Sequence, residues 1–138
     1  MKKEQAIAEI KEREGQPLTP VTLRVEKGLV ERFCRVVGDK NPRWHKLAPP
    51  SLMLTIGFNE MVEDLAYGDI LTVLHGSTEL EPYLDVAIGD SVTANARIAK
   101  IRERQGQMGA TLFITVESDC INQNNEKVAL CRQVAIVY

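Results

Sequence analysis

The sequence predicts an α+β domain in which one long apolar helix lies against a curved antiparallel sheet. Two observations carry this. The stretch APPSLMLTIGFNEMVEDLAYGD, residues 48–69, places Leu52, Leu54, Ile56, Phe58, Met61, Val62 and Leu65 around much of a helix. That distribution fits a buried helix better than a surface one. From Ile70 onward the pattern changes to four β-rich segments, ILTVLHGSTELEPYL, DSVTANARIAKIRER, GATLFITVESDCINQ and EKVALCRQVAIVY. Turn-like AIGD, GQMG and NQNNEK separate them. Short links imply antiparallel neighbours, and a sheet following one apolar helix buries a face against it.

The preceding elements follow in order. Residues 2–14 read as a short helix with a narrow stripe of Ala6, Ile7 and Ile10, stopped by Gly15. Pro17 and Pro20 bracket a connector, and VTLRVE, residues 21–26, alternates as a strand does. In KGLVERFCRVVGD, Leu29, Val30, Phe33, Val36 and Val37 recur at helical spacing, and Gly38 is the stop. Pro49 and Pro50 suit a helix start, where a missing N–H costs nothing. Gly57 inside the apolar helix costs roughly 1 kcal/mol unless close packing needs it. The whole, residues 1–138, reads as one domain with an N-terminal helical extension at 1–16 and no repeat.

Composition excludes several function classes. The chain has 138 residues, 44% of them hydrophobic and 26% charged, with a net charge of −2. That balance argues against a nucleic-acid partner, which needs a concentrated basic surface. The short run KIRERQGQ reads as a solvated strand end. No stretch has the length of a membrane span, and MKKEQAIAEIKEREG lacks the apolar core of a secretory signal. Cys34, Cys120 and Cys131 are odd in number and share no CxxC spacing. They read as reduced, buried thiols of a cytoplasmic protein, with neither metal nor cofactor expected.

The stretch GDKNPRWHKLAPPSLML, residues 38–54, carries the chemistry. With LHGSTELEPYLDVAIGD and NQNNEKVALCRQVAIV, it makes residues 25–137 resemble the MaoC-like acyl-thioester dehydratases and hydratases. More narrowly, the chain resembles the FAS1-like dehydratase domain. The resemblance implies a hotdog fold that pairs with a second hotdog domain, in a homodimer or a heterodimer. It also implies reversible hydration of trans-2-enoyl thioesters to (R)-3-hydroxyacyl thioesters of CoA or acyl carrier protein. In such proteins an Asp, an Asn-Pro and a His manage the water and the α proton. A backbone N–H in an AHG segment at the helix start polarises the carbonyl. Abstracting that proton builds enolate charge, which a free N–H at a helix N-terminus stabilises.

Matched residue by residue, the resemblance assigns Asp39 to the Asp and Asn41-Pro42 to the Asn-Pro. The position expected for the histidine holds Trp44, and His45 stands one place later. In a helix or strand that shift redirects the side chain by about 100° or 180°. The segment matching AHG is Ala48-Pro49-Pro50, and proline has no N–H. Loss of one such donor costs on the order of 10²–10³ in rate, although Ser51 follows with an N–H and a hydroxyl. Only HKL separates NPRW from APP, so the segment that overhangs the site in the family is shortened.

The candidate catalytic residues are therefore Asp39, His45 and Asn41, and the candidate substrate-binding residues are Trp44, Pro50, Ser51 and Leu52. Alternatives stand beside each. Asp39 and Asn41 also read as turn and cap residues, Trp44 as packing, His45 as a surface histidine, and His75 as a hydrogen-bonded structural one. Leu52, Met53, Ile56 and Phe58 read as an apolar tunnel or as core. The altered motif favours an acyl-binding, catalytically degenerate subunit of a hotdog dimer. One alternative is a self-sufficient homodimeric hydratase using Asp39 and His45. Another is a thioesterase-like or non-enzymatic acyl-thioester binder, for which Glu60, Glu63 and Asp64 are the carboxylates available.

Overall fold

The computed structural model describes residues 1–107 and 109–138. Helix α1 (Lys3–Lys11) leads through a connector into strand β1 (Val21–Arg24) and helix α2 (Lys27–Val37). A 3-10 turn (Pro42–His45), strand β2 (Leu47–Ala48), a 3-10 segment (Pro50–Thr55) and helix α3 (Phe58–Ala66) follow. The rest is strand: β3 (Val73–Pro82), β4 (Val86–Ala87), β5 (Ser91–Gly106), β6 (Gly109–Asn122) and β7 (Lys127–Val137). One sheet has the order β1-β5-β6-β7-β3, antiparallel throughout, and β2 pairs with β4 in a small ladder. The expected α+β architecture, helices against a curved antiparallel sheet, is what forms. The GQMG turn includes Met108, which lies outside the described residues.

Alternation along the strands sorts the two faces of the sheet. On β6, Leu112, Ile114, Val116 and Cys120 are buried against the helices. On the other face, Arg97, Glu117, Arg132 and Glu79 form one cross-strand row over β5, β6, β7 and β3. Arg132 donates to Glu117 at 2.8 Å and to Glu79 at 2.7 Å, and Arg97 reaches Glu117 at 3.4 Å. Opposite charges at facing positions support the register. Bulges at Gly76 and Ala99 interrupt the ladders and bend their strands.

Two expectations change. The apolar helix is not continuous. Its first part is a 3-10 segment that ends where Thr55 Oγ1 donates to the Leu52 carbonyl at 2.7 Å. Gly57 then turns left-handed at φ 78°, and α3 begins at Phe58. A left-handed residue ends one helical run and redirects the next, and glycine adopts that conformation without a Cβ clash. The second change concerns the link at residues 83–90. It is not a hairpin: it carries β4, and β3 crosses over to pair with β7 at the sheet edge.

The split helix divides the core. One cluster joins Val25, Val30, Leu52, Met53 and Ile56 to Val92, Cys120 and Val128. The other joins Met61 and Leu65 of α3 to Ile98, Leu112, Ile114 and Val137. Helix α1 completes the second cluster, with Ala6 and Ile10 fully buried and Ile7 nearly so. Burying each isoleucine contributes roughly 1.5–3 kcal/mol. The connector behind α1 extends the sheet edge along β5. Leu18 N–H bonds the Ala96 carbonyl at 2.9 Å, and Ile98 N–H bonds the Gln16 carbonyl at 3.0 Å.

Candidate functional site

The motif loop starts where α2 stops. Gly38 adopts φ 74°, and the Asp39 N–H closes on the Cys34 carbonyl at 2.9 Å. Both carboxylate oxygens of Asp39 are then engaged within the loop. Oδ1 accepts the Asn41 backbone N–H at 3.0 Å, and Oδ2 accepts the Trp44 indole N–H at 2.8 Å. Asn41 Oδ1 accepts the Arg43 N–H at 3.0 Å and caps the 3-10 turn that Pro42 opens. The half-buried Trp44 ring packs on the first core cluster, with the Arg43 guanidinium 5.4 Å from its centroid.

The loop thus gathers Asp39, Asn41 and Trp44. It does not gather His45 with them. Trp44 points inward to Asp39, and successive residues of a 3-10 turn diverge by about 120°. His45 is exposed, and among the described residues no hydrogen bond or ion pair joins it to Asp39. At the next turn, Pro49 is buried and Pro50 and Ser51 are exposed. Leu52 N–H bonds the Pro49 carbonyl at 3.0 Å, so Ser51 holds the first N–H of this segment, with no backbone partner among the described residues. Leu52 is buried in the first core cluster.

A cleft of about 390 Å³ lies elsewhere, between the two core clusters. Met53, Ile56, Gly57, Phe58 and Met61 roof it where the helix breaks. Ala94, Ala96, Ser118, Cys131 and Gln133 lie on the sheet side. Small residues on facing strands leave the space, because Ala96, Ser118 and Cys131 occupy one cross-strand row. Connector residues Pro17 and Leu18 form a further wall. Arg13 pairs with Asp64 between the connector and α3, and both line the cleft. The volume falls in the range of small-molecule sites.

Of the residues suggested for a tunnel, Met53, Ile56 and Phe58 line the cleft and Leu52 does not. Glu60 and Asp64 also line it, and Glu63 does not. His75 is exposed on β3, bonded to the Thr78 hydroxyl at 2.7 Å. Cys120 and Cys131 are buried as free thiols with sulfurs 4.0 Å apart, and Cys34 is half-buried. The adjacent Cys120 thiol and burial push the Cys131 thiol upward, so it stays protonated and unreactive.

A family model described as FAS1-like, dehydratase domain region, matches residues 12–131. The chain belongs to that family. The resemblance read from the motif loop and the strands is thereby borne out. No curated protein sequence matches this FAS1-like dehydratase-region chain. Solved structures share its fold. The ChsH1-ChsH2 complex from Mycobacterium tuberculosis matches with a TM-score of 0.65 at 19% identity, over 96% of this chain and 94% of that one. The HadBC (3R-hydroxyacyl-ACP dehydratase) complex from the same organism gives 0.68 at 16% identity, over 86% and 94%. The (R)-hydratase from A. caviae involved in PHA biosynthesis gives 0.59 at 19% identity, over 88% and 94%. The hotdog fold is therefore established for the FAS1-like chain.

Sequence reasoning missed Ser118, Gln133 and Arg13. The one available signal was Gln133, a polar residue at an inward position of the otherwise apolar alternation in β7. No helix among the described residues is long and apolar enough to cross a membrane.

Proposed function

We propose that this FAS1-like chain is the acyl-binding, catalytically degenerate subunit of a hotdog dimer. The dimer would interconvert (R)-3-hydroxyacyl and trans-2-enoyl thioesters of CoA or acyl carrier protein. The observation that carries this reading is the state of Asp39. Its two oxygens hold the Asn41 N–H and the Trp44 indole, while His45 faces solvent. These bonds take two of the carboxylate's roughly four acceptor sites, and with His45 turned to solvent the Asp–His pair that would share the proton transfers is not assembled. Here the acid braces a turn, and the chemistry falls to a partner that keeps an unaltered Asp and His. The cleft supplies the acyl site, and Ser51 N–H, standing free beside Pro50, supplies a contact for the thioester end.

The partner reading has further support. Edge strand β3 is exposed along residues 74–79, with Leu74 47% exposed. A ten-residue open edge is a template for another strand. Two of the structures similar in fold are named as two-protein complexes, ChsH1-ChsH2 and HadBC.

The test is hydration of crotonyl-CoA by the purified chain, alone and mixed with a hotdog protein carrying an intact DxNPxH motif. Silence alone and turnover in the mixture are expected, with Asp39→Asn and His45→Ala leaving the mixed rate largely intact. Turnover by the chain alone that either substitution abolishes would establish the self-sufficient hydratase instead.

A further inference from the structure

Arg13, Glu60 and Asp64 make one margin of the cleft charged, its roof at Met53, Ile56 and Phe58 is apolar, and a further polar group stands on the sheet side. There the Ser118 hydroxyl is shielded from solvent and has no hydrogen-bond partner. The Cys120 thiol stands two places along the same face of β6, but sulfur is a weak acceptor and the hydroxyl makes no hydrogen bond to it. Gln133 stands on the next strand, one cross-strand row away. Its Nε2 donates to the Leu54 carbonyl at 3.3 Å, a bond that also ties the 3-10 segment to the sheet. Its second N–H and its carbonyl oxygen have no other side-chain partner among the described residues. A hydroxyl and an amide therefore lie side by side on the sheet side of a cleft roofed by Met53, Ile56 and Phe58.

A plain alkyl chain filling this space would exclude water and leave the serine hydroxyl unpaired, which opposes binding. A chain with an oxygen atom at that depth would pair with it. We infer that the cleft selects acyl groups bearing a hydroxyl or keto oxygen along their length, beyond the thioester, with Ser118 and Gln133 as its hydrogen-bond partners. The inference rests on the acyl-thioester reading and narrows it to a substrate class. Selection arises because the Ser118 hydroxyl sits out of reach of solvent, so that a missing oxygen leaves it unmatched.

Calorimetric titration of the full chain tests this with octanoyl-CoA and with analogues hydroxylated at successive positions of its distal half. At least one analogue is expected to bind about tenfold more tightly than octanoyl-CoA. Ser118→Ala is expected to erase that difference by weakening the hydroxylated ligand alone, and Gln133→Met to narrow it. Ala96→Leu fills the cleft and is expected to abolish binding of both ligands, with the melting temperature showing that the variant folds. Octanoyl-CoA binding as tightly as every analogue would overturn the inference and leave the thioester reading standing. So would a preference that survives Ser118→Ala. If no thioester of the series binds, the thioester reading falls, and this inference with it.

Discussion

The Asp39 carboxylate holds the Trp44 indole N–H at 2.8 Å across the turn that joins α2 to the second 3-10 segment. An acid, a tryptophan and an asparagine that read as chemistry in the sequence thus form a small closed frame. The frame fixes the start of the loop, and the β2–β4 ladder fixes its end.

Trp44→Phe tests that frame. It keeps the ring and removes the N–H, leaving one carboxylate oxygen to water. A loss of about 1 kcal/mol is expected, because hydrogen bonds to charged groups contribute more than neutral ones but this one is only part-buried. Urea denaturation of the variant measures it. An unchanged midpoint would show that the indole contributes packing alone.

Gly57→Ala tests the break in the helix. The residue sits at φ 78°, and an added Cβ would meet the Val21 side chain at 3.4 Å. A destabilisation of about 1–2 kcal/mol is expected from the left-handed backbone. Thermal melts would read it, and a gain in helical circular dichroism would instead show that the two halves fuse.

Ile10→Ala tests whether α1 belongs to the core. Ile10 is fully buried in the second cluster. Truncating a buried isoleucine costs about 2–5 kcal/mol. A change under about 0.5 kcal/mol, the usual range for surface substitutions, would place α1 outside the cooperative unit.

Acid stability should depend on Asp119. The bond from Lys127, and then that from Arg97, hold its carboxyl below the ordinary range. A folded pKa below the unfolded one means that the contribution is present above about pH 4 and is lost as pH falls through the lowered value. Lys127 is raised by the same contact, so its share fades only as pH rises past its folded value. Asp119→Asn should therefore lower stability at neutral pH and flatten the acid limb. Denaturant midpoints at a series of pH values decide this, and parallel curves for the two proteins would contradict it.

Much of the fold was readable because it is written at short range. Alternation in β5, β6 and β7 follows from one face meeting helices and the other meeting water. The stop of α2 at Gly38 follows from local conformation, with φ 74°, whereas α1 ends at Lys11, and Gly15, expected as its stop, closes the turn that follows at φ 84°. The helix break was not readable. Gly57 costs about as much inside a helix as it contributes at a turn, and the choice was made by Val21 and the sheet beneath it. The place of β3 was hidden as well, since a link of eight residues serves a hairpin or a crossover equally. In the motif loop, the spacing of Asp39, Trp44 and His45 was visible, but which of the two rings meets the acid depends on a 3-10 turn. The cleft was the least legible. It exists where Ala96, Ser118 and Cys131, distant in sequence, come to lie in one row.

The family match begins at residue 12, one position past the end of α1. The inherited segment and the unit that folds therefore have different borders. A fragment begun at residue 12 would expose the surface of the second core cluster that Ile7 and Ile10 now shield. Where ancestry draws the edge of this protein, hydrophobic packing does not.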